Sequence, residues 1–96
     1  MYLVILDYLA PLDEVDRYVA EHRLWVDAGY RDGIFLASGP QNPRCGGAIL
    51  AHGLERAALD QRLDQDPFKS HGVASYRVVD LTVTRSDPRL DFLQTN

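Results

Sequence analysis

The feature that most constrains the fold is the order in which four short apolar runs alternate with two helical patterns. Two helical patterns, residues 13–28 and 54–65, separate apolar runs of strand length at residues 2–8, 33–40, 46–51 and 73–84. The order β-α-β-β-α-β consists of two split βαβ halves. It is typical of the ferredoxin-like fold, in which a four-stranded antiparallel sheet carries both helices on one face. The sequence therefore predicts an α+β domain of this type.

Apolar residues on both faces of the first strand point to a second subunit. Leu3 and Ile5 alternate with Val4 and Leu6, so neither face is polar. The fourth strand is also apolar on both sides. A sheet with two apolar faces is normally covered on both. Helices cover one face, and a second copy is the simplest cover for the other. We therefore expect a homodimer in which two sheets pack face to face.

Length and composition indicate one small domain. The chain has 96 residues and a formal net charge of −4. We expect a domain over residues 1–84 and a polar tail over 85–96, with Leu90, Phe92 and Leu93 as docking points. The acidic balance and the lack of a basic run argue against a nucleic-acid partner. The single cysteine, Cys45, excludes an internal disulfide.

The chain also gives an expectation about location. Spanning a membrane takes about 20 consecutive apolar residues, and no such stretch occurs in the sequence. The N-terminus lacks the basic region and apolar core of a signal peptide. We therefore expect no membrane partner and a cytoplasmic protein.

His22 interrupts the apolar stripe of the first helix. A histidine on a buried stripe needs partners for its ring nitrogens. Asp66, in the sequence Asp66-Pro67-Phe68, is the strongest candidate downstream. A carboxylate that accepts from one ring nitrogen fixes the tautomer and leaves the other nitrogen free to take or return a proton. General acid–base catalysis of this kind increases the reaction rate by about 10²–10⁴-fold. It suits isomerisation, elimination or ring-opening of a small acidic molecule, with no cofactor.

Both residues have structural alternatives. His22 could be a core histidine bonded to a backbone carbonyl. Asp66 before Pro67 is also a typical N-cap followed by a proline at the first helical position. Capping and pairing use different lone pairs, so both roles of Asp66 are compatible. Phe68 is expected in the core.

The remaining candidates surround the predicted pair. Ser38, Gly39 and Pro40 end the second strand and form either a turn or a pocket wall that donates to substrate. Trp25 either lines the pocket or fills the core. Arg44 either binds a substrate carboxylate or stays at the surface. His52 and His71 lack the close ligand spacing of zinc sites, so no metal is expected.

These motifs together resemble the YciI-like (YCII-related) proteins of the dimeric α+β barrel group. The resemblance runs from Tyr2 to Val83. Its carriers are the opening strand, His22 with Trp25 three residues on, and four short motifs: Asp32-Gly33, Ala37-Ser38-Gly39-Pro40, Gly46-Gly47, and Asp66-Pro67-Phe68 followed by Gly72. It implies a small dimer with a His22–Asp66 pair in a pocket. Dehydrohalogenation of an aromatic-pathway compound is among the few activities linked to the family.

Three functions remain open from the sequence. The first is a lyase, dehydrohalogenase or isomerase that uses His22 as base or acid and Asp66 as its orienting partner. The second is a non-catalytic dimeric module that binds a small anionic metabolite through the same pair. The third is cofactor-free oxygenase chemistry, which occurs elsewhere in the dimeric α+β barrel group.

Overall fold

The computed structural model describes residues 1–94. Its strands are β1 (Tyr2–Tyr8), β2 (Phe35–Pro40), β3 (Gly46–Ala51) and β4 (Ala74–Asp80). Its helices are α1 (Leu12–Asp16), α2 (Val19–Arg31), α3 (Arg56–Asp64) and α4 (Pro67–Ser70), followed by a 3₁₀-helix at Pro88–Leu93.

The four strands form one antiparallel sheet in the order β2-β3-β1-β4. The strands β2 and β3 pair as the hairpin that their closeness in sequence predicts. Val4 lies opposite Ile49 on one side and Val78 on the other, so these three side chains share the face that the helices cover. The predicted ferredoxin-like α+β fold is confirmed.

Two apolar clusters fill the space between sheet and helices. The first joins Val4 and Ile49 of the sheet to Trp25 of α2 and Leu59 of α3. The second joins Leu6 to Val15 of α1 and Phe68 of α4. Tyr76 of β4 packs against both clusters. The boundary between the clusters is where the candidate site lies.

The first predicted helix is two helices in the structure, and its predicted ends are wrong. The helix α1 begins at Leu12 with Pro11 as its N-cap, and the helical angles are interrupted at Tyr18. The helix α2 continues to Arg31, beyond the predicted stop at Ala28. Gly29 does not end it: a Cβ there would lie 2.1 Å from Phe35 Cδ2, so this glycine permits close packing.

The second helix and the fourth strand are shorter than predicted. The helix α3 covers Arg56–Asp64 rather than residues 54–65. The strand β4 ends at Asp80 rather than at residue 84, because Asp80 already pairs with Tyr2 at the start of β1. One further hydrogen bond follows the last paired residues of β1 and β4: the Leu81 N–H donates to the Met1 carbonyl.

The sheet face away from the helices is only partly covered within one chain. Leu3, Ile5 and Leu50 are half-buried there, and Val79 is 39% exposed. Asp7 also lies on this face, away from the helices.

The tail makes limited contact with the rest of the chain. Of its three expected docking residues, Leu93 is buried, whereas Leu90 and Phe92 are 44% and 58% exposed. Phe92 meets the His52 ring edge-on at 5.4 Å between centroids. The final two residues of the expected tail, 95–96, lie outside the described residues. Within residues 1–94, no helix has the length and hydropathy required to cross a bilayer.

Candidate active site

A hydrogen bond joins His22 to Asp66 across 44 positions of sequence. His22 lies in the first turns of α2, and Asp66 immediately precedes α4. The distance from His22 Nδ1 to Asp66 Oδ1 is 2.8 Å. The Asp66 side chain is fully buried, whereas 17% of the His22 side chain remains exposed. The structure therefore brings the two residues together as the apolar stripe and the Asp-Pro motif suggest.

Three donors satisfy the buried carboxylate of Asp66. As the N-cap of α4, it accepts from the Phe68 backbone N–H at 3.1 Å through Oδ1, the same oxygen that pairs with His22. Its second oxygen, Oδ2, accepts from the Tyr76 hydroxyl. A buried carboxylate needs such partners, because its loss of hydration is otherwise costly. Asp66 therefore caps α4 and pairs with His22 at the same time.

Aromatic rings fix the plane of the His22 imidazole. The Phe68 ring stacks on it with centroids 3.9 Å apart and planes 6° apart. Trp25 flanks it at 5.7 Å. Because Nδ1 is bound to a carboxylate, Nδ1 carries the proton in the neutral ring and Nε2 carries the lone pair. No hydrogen bond to Nε2 occurs among residues 1–94.

His22 lines a cavity of about 520 Å³ between the first helices and the sheet. This is within the range of small-molecule sites. Val19, Arg23 and Val26 of α2 form the helical wall beside His22. Strand residues form the floor: Leu6, Tyr8, Ser38, Gly39, Pro40, Gly46, Gly47, Ala48 and Ile49. The cavity thus combines an apolar floor with a histidine and charged groups on the helical side.

Arg44 also lines the cavity, in a salt bridge with Asp16. The distance from Arg44 Nη2 to Asp16 Oδ1 is 2.7 Å, and the guanidinium carbon lies 5.6 Å from the Tyr8 ring centre. Hydrogen bonding to Asp16, and secondarily to Tyr8, raises the pKa of Arg44 above its ordinary value. Arg44 is therefore a permanent positive charge on the cavity wall, already paired with an acid.

The predicted Ser38-Gly39-Pro40 wall lies on the cavity, while Trp25 does not. Ser38 Oγ is 2.7 Å from the Tyr30 hydroxyl oxygen. The Trp25 ring belongs to the core, and its Nε1 donates to the Arg62 carbonyl of α3 at 2.9 Å. Of the two alternatives for Trp25, the structure places it in the core, behind the His22 ring.

The other histidines lie away from the cavity lining. His52 meets Phe92, and His71 stacks on Tyr18 at 4.1 Å. Within the described part of the chain, no three His, Cys, Asp or Glu side chains are grouped closely enough to hold a metal ion.

Sequence reasoning missed two elements of the site. The first is Tyr76, whose hydroxyl donates to Asp66. A signal was available, because Ala74, Tyr76 and Val78 alternate toward the helices, and a tyrosine hydroxyl on a buried face needs a partner. The second is the pair Gly46 and Gly47, which begin β3 and also line the cavity floor.

Comparison with known protein families identifies the family of this chain. The YCII-related domain matches residues 1–82. The chain belongs to the YCII-related family. No match to the chain is found among curated proteins.

The solved structures include a similar enzyme. The chain is similar to 5-chloro-2-hydroxyhydroquinone dehydrochlorinase (TftG) from Burkholderia phenoliruptrix AC1100, solved in complex with 2,5-dihydroxybenzoquinone. The identity is 16% and the TM-score 0.65, over 85% of this chain and 94% of that chain. At this identity the likeness shows that the two proteins share a fold.

Proposed function

We propose that this YCII-related protein is a cofactor-independent enzyme that moves a proton on a small acidic or aromatic molecule. The reaction is of lyase, dehydrohalogenase or isomerase type. His22 is the general base and acid, and Asp66 orients it. One observation carries the proposal: a fully buried carboxylate holds Nδ1 of a ring that lines a cavity, while Nε2 has no partner within residues 1–94.

The geometry suits proton abstraction by Nε2. A hydroxyl or acidic C–H of a ligand in the cavity can give its proton to Nε2, and the electrons of the broken bond form a new double bond. In a dehydrohalogenation the halide then leaves with its bonding pair. In an isomerisation, His22 returns the proton to another atom of the same molecule. The dehydrochlorinase activity of a protein with the same fold supports this class of chemistry.

The cavity walls supply binding groups for such a ligand. We propose that Arg44 binds an anionic substituent of the ligand, because its guanidinium places a positive charge on the cavity wall. Ser38, Gly39 and Pro40 form the part of the floor where the edge strand β2 ends, and the Ser38 hydroxyl can donate there. Trp25 acts indirectly, by packing beside the His22 ring.

The variant His22→Asn tests the proposal. The Asn amide nitrogen occupies the position of Nδ1 and keeps a donor for Asp66, while the nitrogen at the Nε2 position is lost. We expect the thermal midpoint to change little and turnover to fall about 10²-fold or more. Chloride release from 5-chloro-2-hydroxyhydroquinone and a panel of chlorinated hydroxybenzenes measures turnover. His52→Asn, outside the cavity, is the control and should behave as wild type.

The same assay separates an enzyme from a binding module. If the wild-type protein binds 2,5-dihydroxybenzoquinone or panel members but turns none over, and His22→Asn binds them more weakly, the non-catalytic alternative holds, because in it the His22–Asp66 pair itself binds the ligand. Unchanged chloride release by folded His22→Asn would contradict the role of His22.

A further inference from the structure

Tyr76 contacts the carboxylate of the His22–Asp66 pair without lining the cavity. It is on β4, pairs with Leu6 of β1, and therefore faces the helices. Its ring packs against both apolar clusters and lies 6.3 Å from the Trp25 ring. Its hydroxyl donates to Asp66 Oδ2. It is not on the cavity lining, so it contacts the site only through Asp66.

The orientation of the Asp66 carboxylate is not fixed by its own chemistry. The terminal torsion of an aspartate is broad, because it joins a tetrahedral to a planar carbon. Oδ1 accepts from both His22 and the Phe68 backbone, and a turn of the carboxylate about its Cβ–Cγ bond would move Oδ1 away from both donors. The Tyr76 hydroxyl binds Oδ2 and so adds a third contact, on the other oxygen, that resists this turn.

We propose that Tyr76 is the positioning residue of this site. By fixing the Asp66 carboxylate, it holds Oδ1 on His22 Nδ1 and keeps the proton on that nitrogen. The lone pair then stays on Nε2, which has no hydrogen-bond partner within residues 1–94. The consequence for catalysis rests on the proposed function, whereas the effect on the His22 tautomer does not.

A purely structural role predicts something different. The hydroxyl of a buried tyrosine needs a partner in any case, so its loss lowers stability whatever it binds. Only a positioning role also changes which nitrogen of His22 carries the proton. The tautomer is therefore the deciding measurement.

The test compares Tyr76→Phe with Tyr2→Phe. Tyr2 lies on the same sheet face, packs against the first cluster, and is outside the site. The protein is labelled with ¹⁵N-histidine, and two-bond ¹H–¹⁵N spectra resolve the two ring nitrogens of neutral His22. The His22 signals are assigned as those that are absent from the spectrum of His22→Asn. We expect wild type and Tyr2→Phe to show a single tautomer with the proton on Nδ1. We expect Tyr76→Phe to show nitrogen shifts averaged between the two tautomers, and kcat to fall about tenfold with little change in KM.

Each result decides the proposal. A single Nδ1-protonated tautomer in folded Tyr76→Phe overturns it, whatever the loss of stability. If that variant does not fold in buffer, the same spectra are recorded in the presence of trimethylamine N-oxide, which favours the folded state. The same tautomer readings then uphold or overturn the proposal. A tautomer change in Tyr76→Phe, combined with normal activity of His22→Asn, would uphold positioning and reject the catalytic role of His22.

Discussion

At the scale of single residues, the Asp66 carboxylate accepts hydrogen bonds from three elements: α2 through His22, α4 through the Phe68 backbone and β4 through Tyr76. The cap follows from local chemistry, because an aspartate before a proline predicts the start of a helix. The pairing with His22 was suggested by a titratable ring on an apolar stripe and by the family resemblance. The Tyr76 contact depends on how β4 lies against α4, and no local pattern encodes that distance. Sequence therefore located the pair but not its full set of partners.

Replacing Asp66 by alanine should destabilise the protein strongly. The change leaves the Phe68 N–H, the Tyr76 hydroxyl and His22 Nδ1 without an acceptor in the interior. We expect a loss of about 3 kcal/mol or more in the free energy of unfolding, since each orphaned donor costs about 1 kcal/mol or more. Asp64→Ala is the control: this exposed residue pairs with Lys69 at the surface, and its loss should cost about 0.5 kcal/mol or less. Urea denaturation of both variants measures the difference. Similar losses would show that the buried contacts contribute little.

At the scale of elements, two glycines near the end of α2 have different structural roles. Gly29 follows a helical pattern and resembles a C-terminal signal, yet α2 continues through it because Phe35 packs against its bare Cα. Gly33, with a φ of 74°, takes the left-handed conformation after the helix. A sequence does not distinguish a glycine needed for its backbone angles from one needed for its lack of a side chain. The strands were predicted more closely, and β3 matches at both ends.

Gly46 gives a test of close approach between strands. A Cβ at Gly46 would lie 1.8 Å from the Leu6 carbonyl oxygen, whereas a Cβ at Gly39 would meet nothing within 4 Å. Gly46→Ala must therefore push β3 away from β1, and we expect it to cost about 3 kcal/mol. Gly39→Ala should change stability by about 0.5 kcal/mol or less. Thermal unfolding of the two variants makes the comparison, and an equally stable Gly46→Ala would mean that the strands are less closely paired than described.

At the scale of the whole molecule, the helix-free face of the sheet is incompletely covered. Leu3, Ile5 and Leu50 are neighbours across β1 and β3, and Val79 continues the apolar surface on β4. Two charged residues also lie on this face of β1 and β4: Arg77 is opposite Ile5 in its middle, and Asp7 is toward the other end from Leu3. Monomers rarely expose apolar patches larger than a few hundred Å². The prediction from sequence that a second copy covers this face therefore remains a specific expectation.

We expect the protein to be a homodimer that packs these faces together across a twofold axis. Stable interfaces bury about 1,200–2,000 Å² in total, and an apolar sheet face of this kind can supply the centre of one. Ile5→Asp places a charge in the middle of the face, opposite Ala48 on one side and Arg77 on the other. Leu24→Asp is the matched control, because Leu24 is 70% exposed on α2, on the other side of the molecule. Light scattering across a dilution series should give a dimer for the wild-type protein and Leu24→Asp, and a monomer for Ile5→Asp. A folded wild-type monomer at micromolar concentration, or an Ile5→Asp variant that stays dimeric, would place the contact between subunits somewhere other than this face.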